Sequence, residues 1–133
     1  MMNAAARLVT GTRKFDHGLS RLLHDDLPWL DVPERIQYKI CVTVHGCLQS
    51  KAPKYLTVCC TPVSEITSRR HLQSASRHHL SVPRYRLTTF GRRAFSVAGS
   101  TVWNSLPDSL RDPAISSCSS NFRQLLKKDL FNR

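Results

Sequence analysis

Apolar positions along this chain fall into short stripes separated by turn-forming and basic stretches, and the spacing within each stripe predicts helices. Ala4 to Val9 is built from helix-favouring residues, with Asn3 as its cap and Thr10-Gly11 as its stop. Leu19, Leu22, Leu23 and Leu27 recur at three- and four-residue spacing around a second helix over Ser20 to Asp26. The strongest pattern runs from Pro33 to Gln49. Asp31 is the expected N-cap there, Glu34 completes a capping box, and Pro33 lies in the first turn, where its missing N–H costs little. Ile36, Ile40, Val44 and Leu48 sit four apart, flanked by Cys41 and Cys47, as the core stripe of an amphipathic helix. Further on, Ala94, Phe95, Ala98, Val102, Trp103 and Leu106 make a helical stripe broken at Gly99-Ser100 and closed by Pro107. Ser119 or Ser120 caps a last helix, Asn121 to Leu130. Phe122, Leu125, Leu126 and Leu130 form its apolar face, and Arg123, Gln124, Lys127 and Lys128 its polar one.

The stretches between the stripes are less regular. Ala52-Pro53 opens a loop, and Tyr55 to Cys60 reads as a helical turn with a short strand as the alternative, ended by Pro62. From Ser64 to Ser81 the density of Ser, Arg and His predicts irregular, mobile backbone. Ser81 to Leu87 alternates around Pro83, which suits a short edge strand or an extended arm, with Gly91 as a turn. The expected fold class is therefore mainly α, a small fragment of about four to five helices with an irregular Arg/Ser-rich middle and room for one short β-hairpin or edge strand. Its expected parts are a helical segment over residues 1–60, a basic linker or arm over 61–93, and a C-terminal helical segment over 94–133.

Charge changes the picture more than composition does. The chain of 133 residues carries 20 Lys and Arg against 9 acids, a formal charge of +11, and the excess is concentrated. No acid and no lysine occurs from Ile66 to Pro107, where Arg69, Arg70, Arg77, Arg84, Arg86, Arg92 and Arg93 stand with His71, His78 and His79. Guanidinium groups match phosphate bidentately and stack on base planes, so an RNA or DNA backbone is the expected partner; a merely solvated positive face is the plainer explanation. Aromatic residues interleave with this charge in Arg84-Tyr85-Arg86 and Phe90-Gly91-Arg92-Arg93, where Tyr85 or Phe90 offers a stacking face to an unpaired base. Phe95 and Trp103 lie on the apolar stripe and read as core.

Other chemistry finds little support in the residue pattern. Cys41, Cys47, Cys59, Cys60 and Cys118 are odd in number and lack the paired spacing of a zinc site or a disulfide framework, and Cys41 and Cys47 read as small core hydrophobes. No metal or cofactor is expected. There is no nucleophile elbow and no Gly-rich phosphate loop, and Asp25-Asp26 reads as a helix end beside Pro28 rather than a pair of metal-binding carboxylates. No apolar run approaches the roughly 20 residues that span a bilayer, and the reduced-thiol pattern predicts an intracellular, nuclear or cytoplasmic protein. Met1 to Phe15, with Arg7, Arg13, Lys14 and no acid, suits a mitochondrial presequence and makes a small basic RNA- or ribosome-associated mitochondrial protein the alternative.

The block Leu80 to Pro107, LSVPRYRLTTFGRRAFSVAGSTVWNSLP, taken with Asn3 to Thr12, Trp29-Leu30, Arg35-Ile36, Ala52-Pro53-Lys54-Tyr55-Leu56 and Arg69-Arg70-His71-Leu72, resembles the C-terminal region of non-LTR (LINE-type, jockey-like) retrotransposon reverse transcriptases. The resemblance covers nearly the whole chain. It implies a thumb-adjacent tail of an RNA-directed DNA polymerase, following a polymerase core that this chain does not contain, since the family's Tyr-x-Asp-Asp tetrapeptide is absent. It implies no catalytic residues and no enzyme activity of its own. Arg69, Arg70, Arg84, Tyr85, Arg86, Arg92 and Arg93 become the expected nucleic-acid-binding positions, the arginines acting as backbone clamps. The sequence departs from the family pattern at Gly46, usually lysine, at Ser50, usually glycine, and at Asp31, where proline is usual. A translated remnant of such an element, lacking the usual upstream residues and any function, is the further alternative.

Overall fold

A computed structural model of the chain describes residues 2–15, 17, 30–86, 88–116 and 118–132. The chain divides into two compact units, Met1–Arg35 and Ile36–Arg133. The fold is mainly α, and the described residues contain no strand beyond a single isolated bridge.

In the first unit, α1 spans Met2–Thr10, so Asn3 lies inside the helix and does not cap it. The stop is where it was expected: Gly11 takes φ +68, a conformation open to glycine without Cβ strain, and the Thr10 hydroxyl donates to the Ala6 carbonyl at 2.8 Å. The Arg7 guanidinium donates to the Lys14 carbonyl, tying the following turn back onto the helix. The expected helix over Ser20 to Asp26 lies outside the described residues.

Helix α2, Val32–Leu48, begins where the capping signal indicated, with the Asp31 carbonyl accepting the Arg35 N–H at 2.9 Å. Its buried face differs from the expected one. Cys41, Val44, His45 and Cys47 are buried, while Ile36 and Leu48 are 54% and 38% exposed. At 3.6 residues per turn a ladder of i+4 steps drifts by roughly 40° each time, so a stripe centred on Val44 leaves both ends of that ladder facing outward. The cysteines take the inward positions, as their reading as small hydrophobes anticipated. The helix ends with the Lys51 N–H on the Gly46 carbonyl at 2.9 Å and the Ser50 N–H on Cys47 at 3.1 Å, and Ser50 is held at φ 55. The left-handed cap is therefore made without the glycine that normally makes it.

One-turn elements follow: α3 (Lys54–Thr57), 3₁₀ turns at Val63–Glu65 and Thr67–Arg69, α4 (Gln73–Ser76) and α5 (Thr88–Gly91). The C-terminal part comprises α6 (Phe95–Asn104), α7 (Asp108–Arg111), α8 (Pro113–Ser116) and α9 (Ser119–Phe131). Helix α6 is continuous through Gly99-Ser100, which are buried on its inner face, contrary to the expected break. A Cβ at Gly99 would stand 3.1 Å from the Val44 Cγ2 atom, so the glycine is what lets α6 approach α2. Helix α9 starts two residues earlier than expected, with Cys118 at its N-cap and its carbonyl accepting the Phe122 N–H at 3.1 Å. Phe122, Leu126 and Leu130 are buried as the pattern required, and Leu125 lies at the edge, 40% exposed.

The three long helices of this unit meet around Phe122. Its ring stacks on His45 with centroids 4.1 Å apart and planes within 5°, and lies 5.9 Å from Trp103 at 34°. Val44, Leu126, Leu106 and Leu110 are buried with them.

The backbone from Ser64 to Ser81 contains no element longer than one turn, in keeping with the expected irregular middle, yet it is closed upon itself. The segment is a chain of single turns whose ends are tied together by an antiparallel bridge, Pro62 with Leu80. The Val63 N–H donates to His79 and the Ser81 N–H to Thr61, both at 2.9 Å. Helix α6 then holds the closure. Asn104 Nδ2 donates to the Leu80 carbonyl at 2.9 Å, the Leu80 N–H donates to Asn104 Oδ1 at 2.8 Å, and Trp103 Nε1 donates to the His78 carbonyl at 3.2 Å. Ser and Arg density had signalled only that the segment lacks a core of its own; it could not signal that a neighbouring helix supplies the bonds.

Two opposed effects on stability are expected in urea denaturation. Gly46→Ala meets no atom within 4 Å and should stabilise by about 1 kcal/mol through helix propensity, and Ser50→Gly should add a gain of about 1 kcal/mol by relieving the left-handed residue. Asn104→Ala should cost about 2 kcal/mol, because it strands the N–H and C=O of Leu80, a residue only 2% exposed.

Candidate nucleic-acid interface

The residues expected to contact nucleic acid are distributed over two elements. Arg69 and Arg70 sit in the closed loop, Arg69 ending its second 3₁₀ turn and Arg70 donating from Nε to the Ser64 carbonyl at 3.3 Å; both are exposed. Arg84, Tyr85 and Arg86 lie on the extended stretch that leaves Leu80, and Arg92 and Arg93 follow α5, all exposed.

This second group is folded against itself. The Tyr85 ring lies directly over Gly91: a Cβ there would come within 2.8 Å of Tyr85 Cβ and 3.1 Å of its ring. Gly91 thus serves close approach, a role the reading of it as a turn residue missed. Arg92 Nε donates to the Tyr85 hydroxyl at 3.2 Å, and this bond holds the Arg92 guanidinium further above its ordinary value. Tyr85 packs on its own arm, and Phe90 beside it is 75% exposed. Trp103 is buried at 1% exposure, in line with its reading as core, and the half-buried Phe95 ring lies 3.4 Å from a Cβ at Gly99.

Among the described residues, no carboxylate lies within ion-pair distance of Arg69, Arg70, Arg84, Arg86, Arg92 or Arg93. The acid of this region is used elsewhere. Asp108 pairs with the exposed Arg77 at 4.0 Å and, from the adjacent turn of α7, with Arg111.

Arg111 is the functional-looking residue that charge patterning passed over. It is 5% exposed, and its NH1 group donates to the Asn104 carbonyl at 3.0 Å and to His79 Nε2 at 2.8 Å. Burial, then Arg77, pull its guanidinium below the usual value. Because Arg111 is always a donor, His79 must offer a lone pair, and burial followed by Arg111 and Arg77 hold the His79 imidazole below its ordinary pKa. The visible signal was the i, i+3 spacing of Asp108 and Arg111 behind Pro107.

The thiols are not arranged for metal chemistry. Cys47 and Cys60 are buried and hydrogen-bonded to each other, and burial pushes Cys60 up to about 12 and raises Cys47 as well. Among the described residues, no three His, Cys, Asp or Glu side chains are grouped to hold a metal ion, and no helix is long and apolar enough to cross a membrane. No family model, curated protein or solved structure matches this chain.

The lowered His79 pKa fixes the sign of one pH effect. Protonation is easier in the unfolded chain, so the folded state is favoured above the ordinary histidine range and loses stability as pH falls below it. Urea midpoints measured from pH 7.5 down to pH 5 should therefore fall, and His79→Gln, which keeps an acceptor for Arg111, should flatten that part of the fall.

Proposed function

We propose that this chain is a non-catalytic nucleic-acid-binding segment, contacting the RNA or DNA backbone without base specificity, of the kind that follows the polymerase core in non-LTR retrotransposon reverse transcriptases. The observation that carries the reading is the set of six exposed arginines, Arg69, Arg70, Arg84, Arg86, Arg92 and Arg93, with no carboxylate in ion-pair reach among the described residues. Guanidinium groups left without acids on a surface keep their full capacity for phosphate, and each phosphate neutralised releases condensed counterions. Tyr85 and Arg92 steady one another, which lowers the rotamer entropy lost when Arg92 meets a phosphate, and the exposed Phe90 ring adds a stacking face.

The reaction chemistry of such polymerases is not part of the proposal. Their catalytic aspartate motif does not occur in the sequence, so the role reduces to holding a strand for a catalytic partner.

Binding to labelled single-stranded RNA and to duplex DNA across a salt series tests this. Arg92→Ala with Arg93→Ala should weaken binding evenly across unrelated sequences and lower the slope of log affinity against log salt by about one per lost phosphate contact. A slope identical to that of the parent chain removes the arginines from the interface, and affinity no greater than that of a scrambled peptide of the same charge favours the inert remnant.

A further inference from the structure

One threonine on the basic arm differs from the other hydroxyl residues of the chain. Thr89, in α5, is exposed and has Arg86 three residues before it, Arg84 five residues before it and Phe90 directly after it. No other serine or threonine in the sequence has arginine at both of those places. Ser96 has Arg93 three residues before it but lies in the first turn of α6, half-buried.

The arm presents this segment in a form that an enzyme can read. Arg84 and Arg86 are exposed, with no carboxylate in ion-pair reach among the described residues, and the Phe90 ring is 75% exposed. Two guanidinium groups are thus open to an acidic cleft and an apolar ring is open to a pocket beside the hydroxyl. With no Asp or Glu from Ile66 to Pro107, nothing in the flanking sequence repels such a cleft. Helix α5 is a single turn, which has little stability of its own. The Tyr85 ring over Gly91 and the Arg92 bond to the Tyr85 hydroxyl fold the arm on itself, and both use exposed side chains, so opening the arm leaves the core intact.

We propose that Thr89 is a phosphorylation site for a protein kinase that selects arginine three and five residues before its target, and that the phosphate switches off strand binding. The switch rests on the strand-binding reading above; the modification site does not. In the transfer the Thr89 Oγ1 atom forms a bond to the γ-phosphorus of ATP, the bond from that phosphorus to the bridging oxygen breaks to release ADP, and the hydroxyl proton passes to the kinase's base. The product carries a charge of about −2 at neutral pH, three residues from Arg86 and Arg92 and four from Arg93. Arg92 commits only its Nε–H to Tyr85 among the described residues, so its terminal nitrogens are open to the new phosphate. Arginines that answer a phosphate of their own chain are lost to a strand.

The test incubates the full chain with magnesium ATP and the catalytic domain of a kinase of this specificity, and locates the phosphate by fragmentation mass spectrometry. Thr89 is the expected site, Thr89→Ala should lower total incorporation at least about tenfold, and Arg84→Ala with Arg86→Ala should lower kcat/KM by about tenfold or more. Thr89 left unmodified while other residues are labelled, or an arginine variant phosphorylated at the parent rate, overturns the site. The phosphorylated chain is then bound to labelled single-stranded RNA across a salt series. Its slope of log affinity against log salt should be lower by about two than that of the unmodified chain, and Thr89→Ala treated in the same way should bind as the parent does. An unchanged slope on full phosphorylation overturns the switch. A parent chain that binds RNA no better than a scrambled peptide of the same charge overturns the switch together with the strand-binding reading, and the modification site is still decided by the mass spectrum.

Discussion

Trp103 and Asn104 leave the last turn of α6 side by side, and the arrangement of the second unit depends on what they do there. The Trp103 ring enters the core against Phe122 while its N–H reaches the His78 carbonyl, and Asn104 engages both the N–H and the C=O of Leu80. An asparagine side chain used this way imitates a neighbouring strand, satisfying backbone groups that no sheet is present to satisfy. The closed loop from Pro62 to Leu80 has little apolar surface of its own, so its geometry comes from these bonds and from the Pro62 and Leu80 bridge. His78 is held at φ 55 where its carbonyl accepts the indole N–H, a backbone state that costs a non-glycine residue about 1–2 kcal/mol and that the tryptophan bond helps to offset.

What the sequence made legible was the local physics. The termination of α1 at Gly11, the start of α2 after Asp31, the burial of Trp103 and the face of α9 followed from propensity, capping and period, because those signals act within one turn of the residue that carries them. The errors came where the deciding contact lies far away in the chain. Gly99 looks like a helix break until Val44 is found against it, and Ile36 and Leu48 look like core until the cysteines and His45 are found to occupy the inward side. Ser64 to Ser81 is irregular as its composition indicates, and what composition did not show is that the bonds closing it come from a helix some 24 residues downstream, whose pattern advertises only its own apolar stripe.

The same asymmetry governs the candidate interface. Arginine density was visible in the sequence, but the division of labour among the arginines was not. Arg111, the least exposed of them among the described residues, follows the acid-free block and carries a structural load, joining α7 to the loop through His79 and to α6 through the Asn104 carbonyl. A buried arginine of this kind is tolerated because its terminal donors are engaged and Asp108 balances its charge. Arg84, Arg86, Arg92 and Arg93 sit on an arm that, among the described residues, has no comparable network beyond the bond between Tyr85 and Arg92.

Structural and solvent-facing roles are thereby assigned to different charges, and this follows from the supply of acids. With no Asp or Glu between Ile66 and Pro107, the first acid after the basic block is Asp108, and α7 directs it to Arg111 and Arg77. The arm arginines are left to solvent, where surface ion pairs would have contributed little to the fold in any case. Their mutual repulsion is weakened by salt over a distance of about 10 Å and is relieved most directly by a polyanion, so a strand laid along the arm would stabilise the surface that binds it. The fold needs none of these arginines for its core, and it is this independence on which the proposed contact with phosphate rests.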